Sequence, residues 1–369
     1  MYRKAILVEP KKPLEFVEEP IPETPDDGVV LELLYSGVCH SDVHIQADCM
    51  DFGGGVYASL FAINKDLFIG RNLGHEIYGR IMSMGPNASK NFKVGDEVVA
   101  YPWAGCRSCE FCKIDRSNFC SDNQFGLKDL GLGRKGGFAT HMALPECEKY
   151  LIKRGNIDPK VAPLLSCSAL TAFSGLRQIK ESLDTRARAG LTQNILLIGA
   201  GGLGQWAVAY SKHLYPECNL TVADISTEKL EQLSERGVDN TVLFSKTSTI
   251  AEKAQQFPHK MDGIIDFVGS SQTASLAAKL LSRGGTMVVI GLIGGQIEAS
   301  LLGLIDGTQT IKGVRTGSFE LMKEMIRLTE EKNIRGPEIF TYKFDQVNEA
   351  LDAIRNGTMM GRAVLDIKA

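Results

Sequence analysis

No stretch of 18 or more apolar residues occurs in the 369-residue sequence, which excludes a membrane-spanning helix on length and character. A clustered basic excess is also missing. Forty-one Lys and Arg stand against 44 Asp and Glu, a net charge of −3, and no nucleic-acid footprint is expected. There is no internal repeat and no low-complexity tract, which excludes a solenoid or a linker-rich chain. With 44% hydrophobic and 23% charged residues, the composition is globular and requires no disordered segment. The first residues, Met1-Tyr2-Arg3-Lys4-Ala5-Ile6, open into a strand-like pattern without the apolar core of a signal peptide, and a cytoplasmic location is expected. In that setting the nine cysteines read as metal ligands or free thiols more readily than as disulfides.

The length suits two domains rather than one core. Up to about residue 100, short β-branched runs broken by Pro, Gly and Asp predict strands at Ala5–Val8, Val29–Tyr35, Glu76–Met84 and Glu97–Tyr101, a β-rich domain. Five prolines between Pro10 and Pro25 predict turns and extended connections there. Gly53-Gly54-Gly55 predicts a flexible loop, either a tolerated surface insertion or a functional lid.

From about Pro159 the pattern changes. Asn194–Ile198 reads as a buried strand, and five more strands are predicted at Leu220–Asp224, Thr241–Phe244, Gly263–Val268, Thr286–Ile290 and Thr310–Val314. Helical patterns such as Thr227–Arg236 and Thr273–Ser282 separate most of them. Apolar strands alternating with helices imply an α/β fold, a doubly wound parallel sheet covered on both faces. The tail breaks the alternation, with helical patterns at Phe319–Lys332 and Gln346–Asn356 and a last strand at Gly361–Asp366, and is expected to return to the first domain.

Three motifs carry chemistry. Gly199-Ala200-Gly201-Gly202-Leu203-Gly204 follows a predicted strand and opens a helix, the context in which this glycine spacing lets a pyrophosphate approach free amides. Asp224 ends the next strand 20 positions after Gly204, where a carboxylate accepts hydrogen bonds from a ribose and repels a 2′-phosphate, so NAD is favoured over NADP. Second, Cys106, Cys109, Cys112 and Cys120 supply four thiolates within 15 residues, enough to close a tetrahedral, structural zinc site.

The third motif is spread out. Gly37-Val38-Cys39-His40-Ser41-Asp42-Val43-His44 places a thiol, three imidazole or carboxylate groups and a hydroxyl in a short post-strand loop, and Gly74-His75-Glu76 lies 36 residues after Cys39. Cys39, His75 and Cys167 form the candidate three-ligand set of a catalytic zinc, although Cys167 alone reads as a small buried apolar residue. Glu76 has three readings: support for a ligand, transient ligand, or solvated strand-end charge. Trp103 either lines a substrate pocket or packs in the core.

Together these motifs resemble the zinc-dependent medium-chain alcohol dehydrogenase family along essentially the whole chain. The resemblance implies a GroES-like catalytic domain at 1–168 and 313–369, with a structural zinc lobe at about 104–122, and a Rossmann NAD-binding domain at 169–312. It implies two zinc ions per chain, one held by Cys39, His75 and Cys167 and the other by Cys106, Cys109, Cys112 and Cys120. Asp42 would orient a zinc-bound imidazole, Ser41 and His44 would carry the alcohol proton outward, and His40 and Arg362 would reach the cofactor pyrophosphate. A homodimer or homotetramer acting on a small alcohol or aldehyde is implied as well. The long Cys39 to His75 interval weakly resembles the 6-hydroxyhexanoate dehydrogenase-like branch and argues against a simple ethanol specificity. A polyol dehydrogenase, an aldehyde or ketone reductase of the same fold, and a non-catalytic NAD-binding protein are the alternatives.

Overall fold

The computed structural model describes residues 1–62, 68–123 and 128–369. Four strands of the first part fall in the expected places: β7 (Glu76–Met84) and β8 (Glu97–Ala100) closely, β1 (Tyr2–Leu7) starting three residues before the expected Ala5, and β3 (Val29–Val38) running three residues past Tyr35. Between the prolines, where turns and extended connections were expected, the extended piece Glu15–Glu19 forms β2 and pairs antiparallel with β1. Proline's missing amide is tolerated because the prolines flank this edge strand rather than enter it. Short strands β4 (Met50–Asp51) and β5 (Tyr57–Ala58) make a hairpin whose turn holds Gly53, Gly54 and Gly55, all at positive φ. The loop predicted there is an ordered turn packed on residues 294–296. A Cβ on Gly53 would lie 2.4 Å from the Gly295 carbonyl oxygen.

With β6 (Arg71–Asn72), β1 and β2 form a three-stranded sheet. A seven-stranded sheet runs β10-β8-β7-β3-β18-β17, with β9 also on β3, where β9 is His141–Leu144, β10 Leu151–Lys153, β17 Ile339–Lys343 and β18 Arg362–Asp366. The tail therefore does come back, and β18 lies inside the sheet between β17 and β3.

The other sheet is wholly parallel and ordered β13-β12-β11-β14-β15-β16. Its strands are β11 (Asn194–Ile198), β12 (Asn219–Asp224), β13 (Asn240–Leu243), β14 (Met261–Asp266), β15 (Leu281–Val289) and β16 (Thr310–Gly313). All residues of β11 and β14 are buried, as a central strand covered on both faces requires. Strand β15 starts five residues earlier than its apolar run suggests. Arg283, Gly284 and Gly285 conceal its first half from a hydrophobicity reading, and the register to β14 shifts there. The order reverses between β11 and β14, so a crevice opens at the C-terminal ends of these strands. Among the described residues no helix is long and apolar enough to cross a membrane.

Candidate functional site

The Gly37–His44 cluster is not a loop. Helix His40–Ala47 begins immediately after β3, with Cys39 as its N-cap residue. Asp42 explains why the helix starts there: its Oδ2 accepts from the Cys39 amide at 2.9 Å, satisfying one of the donors a helix start leaves unpaired. Its Oδ1 accepts from the Gly74 amide at 3.1 Å. One buried carboxylate thus fixes the two backbone segments that carry Cys39 and His75. The His75 Nδ1 lies 3.5 Å from Asp42 Oδ1, too long for a formed hydrogen bond but close enough for the charge to orient the ring and leave Nε2 facing the sulfurs.

Cys167 arrives from elsewhere, as the N-cap of helix Ser168–Gln178 after a tight turn at Ala162–Ser166. His75 Nε2 and Cys167 Sγ are 3.3 Å apart. One ligand atom from each of Cys39, His75, Glu76 and Cys167 lies within 4.8 Å of the others, and all four residues are buried. The Cys167 thiol donating to it, and then His75, hold the Cys39 thiol well below its usual pKa despite burial. The Cys39 sulfur and burial push Cys167 up. Burial pushes His75 down, but the Asp42 carboxylate and Cys39 more than offset it and the net shift is upward. Crowded, proton-sharing thiols and an imidazole are a donor set that a divalent ion fits by displacing the protons.

Glu76 is fully buried, which removes its solvated reading. Its Oε2 accepts from Arg362 Nη2 at 2.5 Å, Oε1 has no hydrogen-bond partner among the described residues, and one carboxylate oxygen lies within reach of the Cys39, His75 and Cys167 donor atoms. Burial raises its pKa to about 7 against the pull of Arg362. Arg362 is buried on an internal strand, not exposed on an edge, and also donates to the Val38 carbonyl at 3.1 Å. Its stem covers Gly202, where a Cβ would come 2.3 Å from Arg362 Cδ. The arginine expected at the pyrophosphate therefore spans from the Glu76 carboxylate to the glycine turn. This pairing was not legible in the sequence, because the partners are 286 positions apart.

The glycine turn follows β11 and leads into helix Gly202–Leu214. Gly199 has φ +103°, and a Cβ on Gly204 would sit 1.9 Å from the Gly199 carbonyl oxygen, so helix and turn close only without side chains. Gly201 is the N-cap with no side-chain cap, and among the described residues nothing lies within 4 Å of where its Cβ would be. Those unfilled amides and that space fit a dinucleotide phosphate. Leu203 occupies the first turn of the helix. Asp224 Oδ2 accepts from the Ala200 amide at 2.6 Å and Oδ1 from the Ile225 and Ser226 amides at 2.7 and 2.9 Å, so the carboxylate also braces the turn.

Ser41 Oγ is 3.9 Å from Cys39 Sγ, at the rim of the cluster. His40 and His44 are one helical turn apart with ring centres 6.5 Å from each other. Desolvation lowers the pKa of both, although His40 remains exposed by area. Trp103 is buried, its ring centre 5.5 Å from that of His75 with the planes tilted by 53°, and donates from Nε1 to the Ser166 carbonyl at 2.9 Å. Of its two readings the core packing is seen, and the ring also borders the His75 imidazole.

In the lobe, the four sulfurs of Cys106, Cys109, Cys112 and Cys120 also lie within 4.8 Å of one another. The Cys106 and Cys112 sulfurs are 4.0 Å apart, far beyond a disulfide and close to the ~3.8 Å edge of a tetrahedron with zinc–sulfur bonds of about 2.3 Å. Amides of Cys106 and Cys109 donate to Cys120 and Cys106 sulfurs at 3.2 and 3.3 Å, stabilising thiolates.

Two family models match: the alcohol dehydrogenase GroES-like domain over residues 25–154 and the zinc-binding dehydrogenase over residues 202–331. The chain is 30% identical to an NAD-dependent alcohol dehydrogenase of Sulfolobus acidocaldarius, covering 96% of this chain and 97% of that one. A Saccharolobus solfataricus protein of the same description is 31% identical, over 98% and 99% of the two chains. Among solved structures, the alcohol dehydrogenase of Aeropyrum pernix superposes with a TM-score of 0.81 at 24% identity, covering 99% and 100% of the chains, which concerns the fold alone. With both family models matched in order and full-length relatives at this identity, the chain belongs to the zinc-dependent medium-chain alcohol dehydrogenase family.

Proposed function

We propose that this protein interconverts a primary or secondary alcohol with its aldehyde or ketone using NAD, with a catalytic zinc on Cys39, His75 and Cys167 and a structural zinc on Cys106, Cys109, Cys112 and Cys120. The observation that carries the reading is the buried thiol-imidazole-carboxylate cluster joined through Arg362 to the Gly199–Gly204 turn. When bound, the zinc supplies Lewis acidity at the substrate oxygen and the NAD accepts hydride. The chain's own residues do the rest. Asp42 fixes both ligand segments, Trp103 excludes water over His75, and Glu76 with Arg362 balances charge beneath the cluster. Ser41 Oγ takes the substrate hydroxyl proton, and His44 receives the relayed proton and releases it to solvent. His40, Gly199, Gly201, Gly202, Leu203 and Gly204 face the cofactor phosphates, and Asp224 faces the ribose.

The division at 168/169 and 312/313 belongs to the same reading, supported by β16 ending at Gly313, one residue past the second boundary, and by β18 pairing with β3. So do a cytoplasmic setting, supported by nine unpaired cysteines, and a homo-oligomer, supported by the exposed Leu301, Leu302 and Ile305 near edge strand β16.

A panel of primary, secondary and ω-hydroxy alcohols, followed by NADH absorbance, tests the reading. Turnover of at least one compound is expected, whereas NADH binding without turnover of any would leave a non-catalytic NAD-binding protein. His44→Ala gives a sharper check on the proton path. Because desolvation keeps the His44 pKa below its ordinary 6.5, the ring is neutral and able to accept a proton around neutral pH. The variant is expected to be slower from that depressed pKa up to neutrality and to recover in alkaline solution, where solvent base substitutes. A pH–rate profile superimposable on wild type removes His44 from the path.

A further inference from the structure

The segment after β16 has features that the proposed chemistry does not use. Arg315 Nη2 donates to Asp129 Oδ2 at 2.5 Å, and the fully buried Asp129 takes a second bond, from Asn123 Nδ2, at 2.6 Å. The Arg315 guanidinium carbon lies 5.7 Å from the centre of the Trp103 ring, whose other neighbour is the His75 ring. The arginine side chain is 44% exposed, and among the described residues its Nε and Nη1 have no hydrogen-bond partner. The guanidinium is therefore held on one side by a buried carboxylate and open on the other.

Thr316 supplies a second, independent observation. Its φ is +147°, a backbone conformation that a β-branched residue avoids, and its Oγ1 is buried with no partner among the described residues. The strain is fixed from both sides. Ser174 Oγ donates to the Thr316 carbonyl at 2.9 Å and the Tyr101 hydroxyl donates to the Gly317 carbonyl at 2.8 Å. Strained backbone held in this way clusters where a protein clamps a ligand.

We propose that Arg315 determines specificity by binding a carboxylate that the substrate carries a short chain away from its alcohol carbon. The inference rests on the alcohol dehydrogenase reading above and names its substrate class, hydroxy acids and the corresponding aldehyde acids. A guanidinium offers the planar fork that matches a carboxylate, and Trp103 beneath it lines the apolar chain between charge and reacting carbon. Asp129 already offsets part of the arginine's charge, so a singly charged anion fits better than a phosphate dianion.

The selectivity ratio tests this. In Arg315→Gln, kcat/KM for 5-hydroxypentanoate relative to 1-pentanol is expected to fall at least about tenfold, chiefly through KM, and Arg315→Lys is expected to regain part of it. Calorimetric titration of both compounds into the zinc-loaded protein with NADH, where no turnover occurs, is expected to show the same selective loss of affinity. Equal losses for the two compounds would make Arg315 a strut holding Asp129 to the parallel sheet, and would overturn the proposal, as would an unchanged ratio. If the wild type oxidises no alcohol at all, the dehydrogenase reading falls, and the titration alone still decides for or against carboxylate binding at Arg315.

Discussion

Cys39→Ala is expected to reduce turnover by three orders of magnitude or more and to lower the zinc content from two ions per chain to one. Both effects have one origin. Cys39 contributes the sulfur whose pKa the cluster depresses most, and without it His75 and Cys167 are left as a two-ligand remnant with Glu76. Loss of Lewis acidity worth several kcal/mol corresponds to a rate loss of about this size. The fold should survive, because the helix after Cys39 is capped through the residue's backbone amide and Asp42, which alanine keeps. The remaining ion should sit in the four-cysteine lobe and should be the one lost in Cys112→Ala. Metal analysis with thermal melting separates these outcomes, and a fully active wild type with a single zinc would refute the two-site assignment.

Arg362→Ala is expected to destabilise the protein by about 3–5 kcal/mol, the cost of stranding a buried carboxylate whose partner is removed. The pH dependence identifies that carboxylate. Burial already raises Glu76 to about 7 with Arg362 present. Removing the arginine raises it further, because the guanidinium is what pulls it down. A carboxyl group whose folded pKa lies above its unfolded value adds stability below the unfolded pKa and loses it as pH rises through the folded pKa. The stability deficit of Arg362→Ala should therefore be larger at pH 8 than at pH 5, with metal content held equal. A deficit that does not change with pH would mean that the lost packing over Gly202, not Glu76, accounts for the destabilisation.

The candidate ligands were visible in the sequence, but not how they are held. Cys39, His75, Cys167 and the four lobe cysteines could be named because thiolates and imidazoles at such spacings have few other uses, and the structure brings each set together within 4.8 Å. The glycine turn was legible because it follows an unbroken apolar strand, Asn194–Ile198. What stayed hidden depends on pairing between distant segments. Nothing local in Glu76 or Arg362 announces that they meet, and Val314-Arg315-Thr316 reads as an ordinary strand end until Asp129 and Trp103 are seen beside it. Local propensity misled where polar residues make regular structure, as at the start of helix His40–Ala47 and in the Gly284-Gly285 half of β15.

The insertion of β18 between β17 and β3 has a consequence for biosynthesis. Strand β3, which leads straight into Cys39, leaves the ribosome well before β18, yet its Tyr35–Val38 edge pairs with Ala363–Asp366, and the Val38 carbonyl waits for an arginine 324 positions later. Until then an unpaired strand edge and a partnerless Glu76 carboxylate sit beside two thiols. Nascent chains paused before residue 362 should thus be the species most in need of chaperone cover, and the metal centre should close only once β18 has docked on β3.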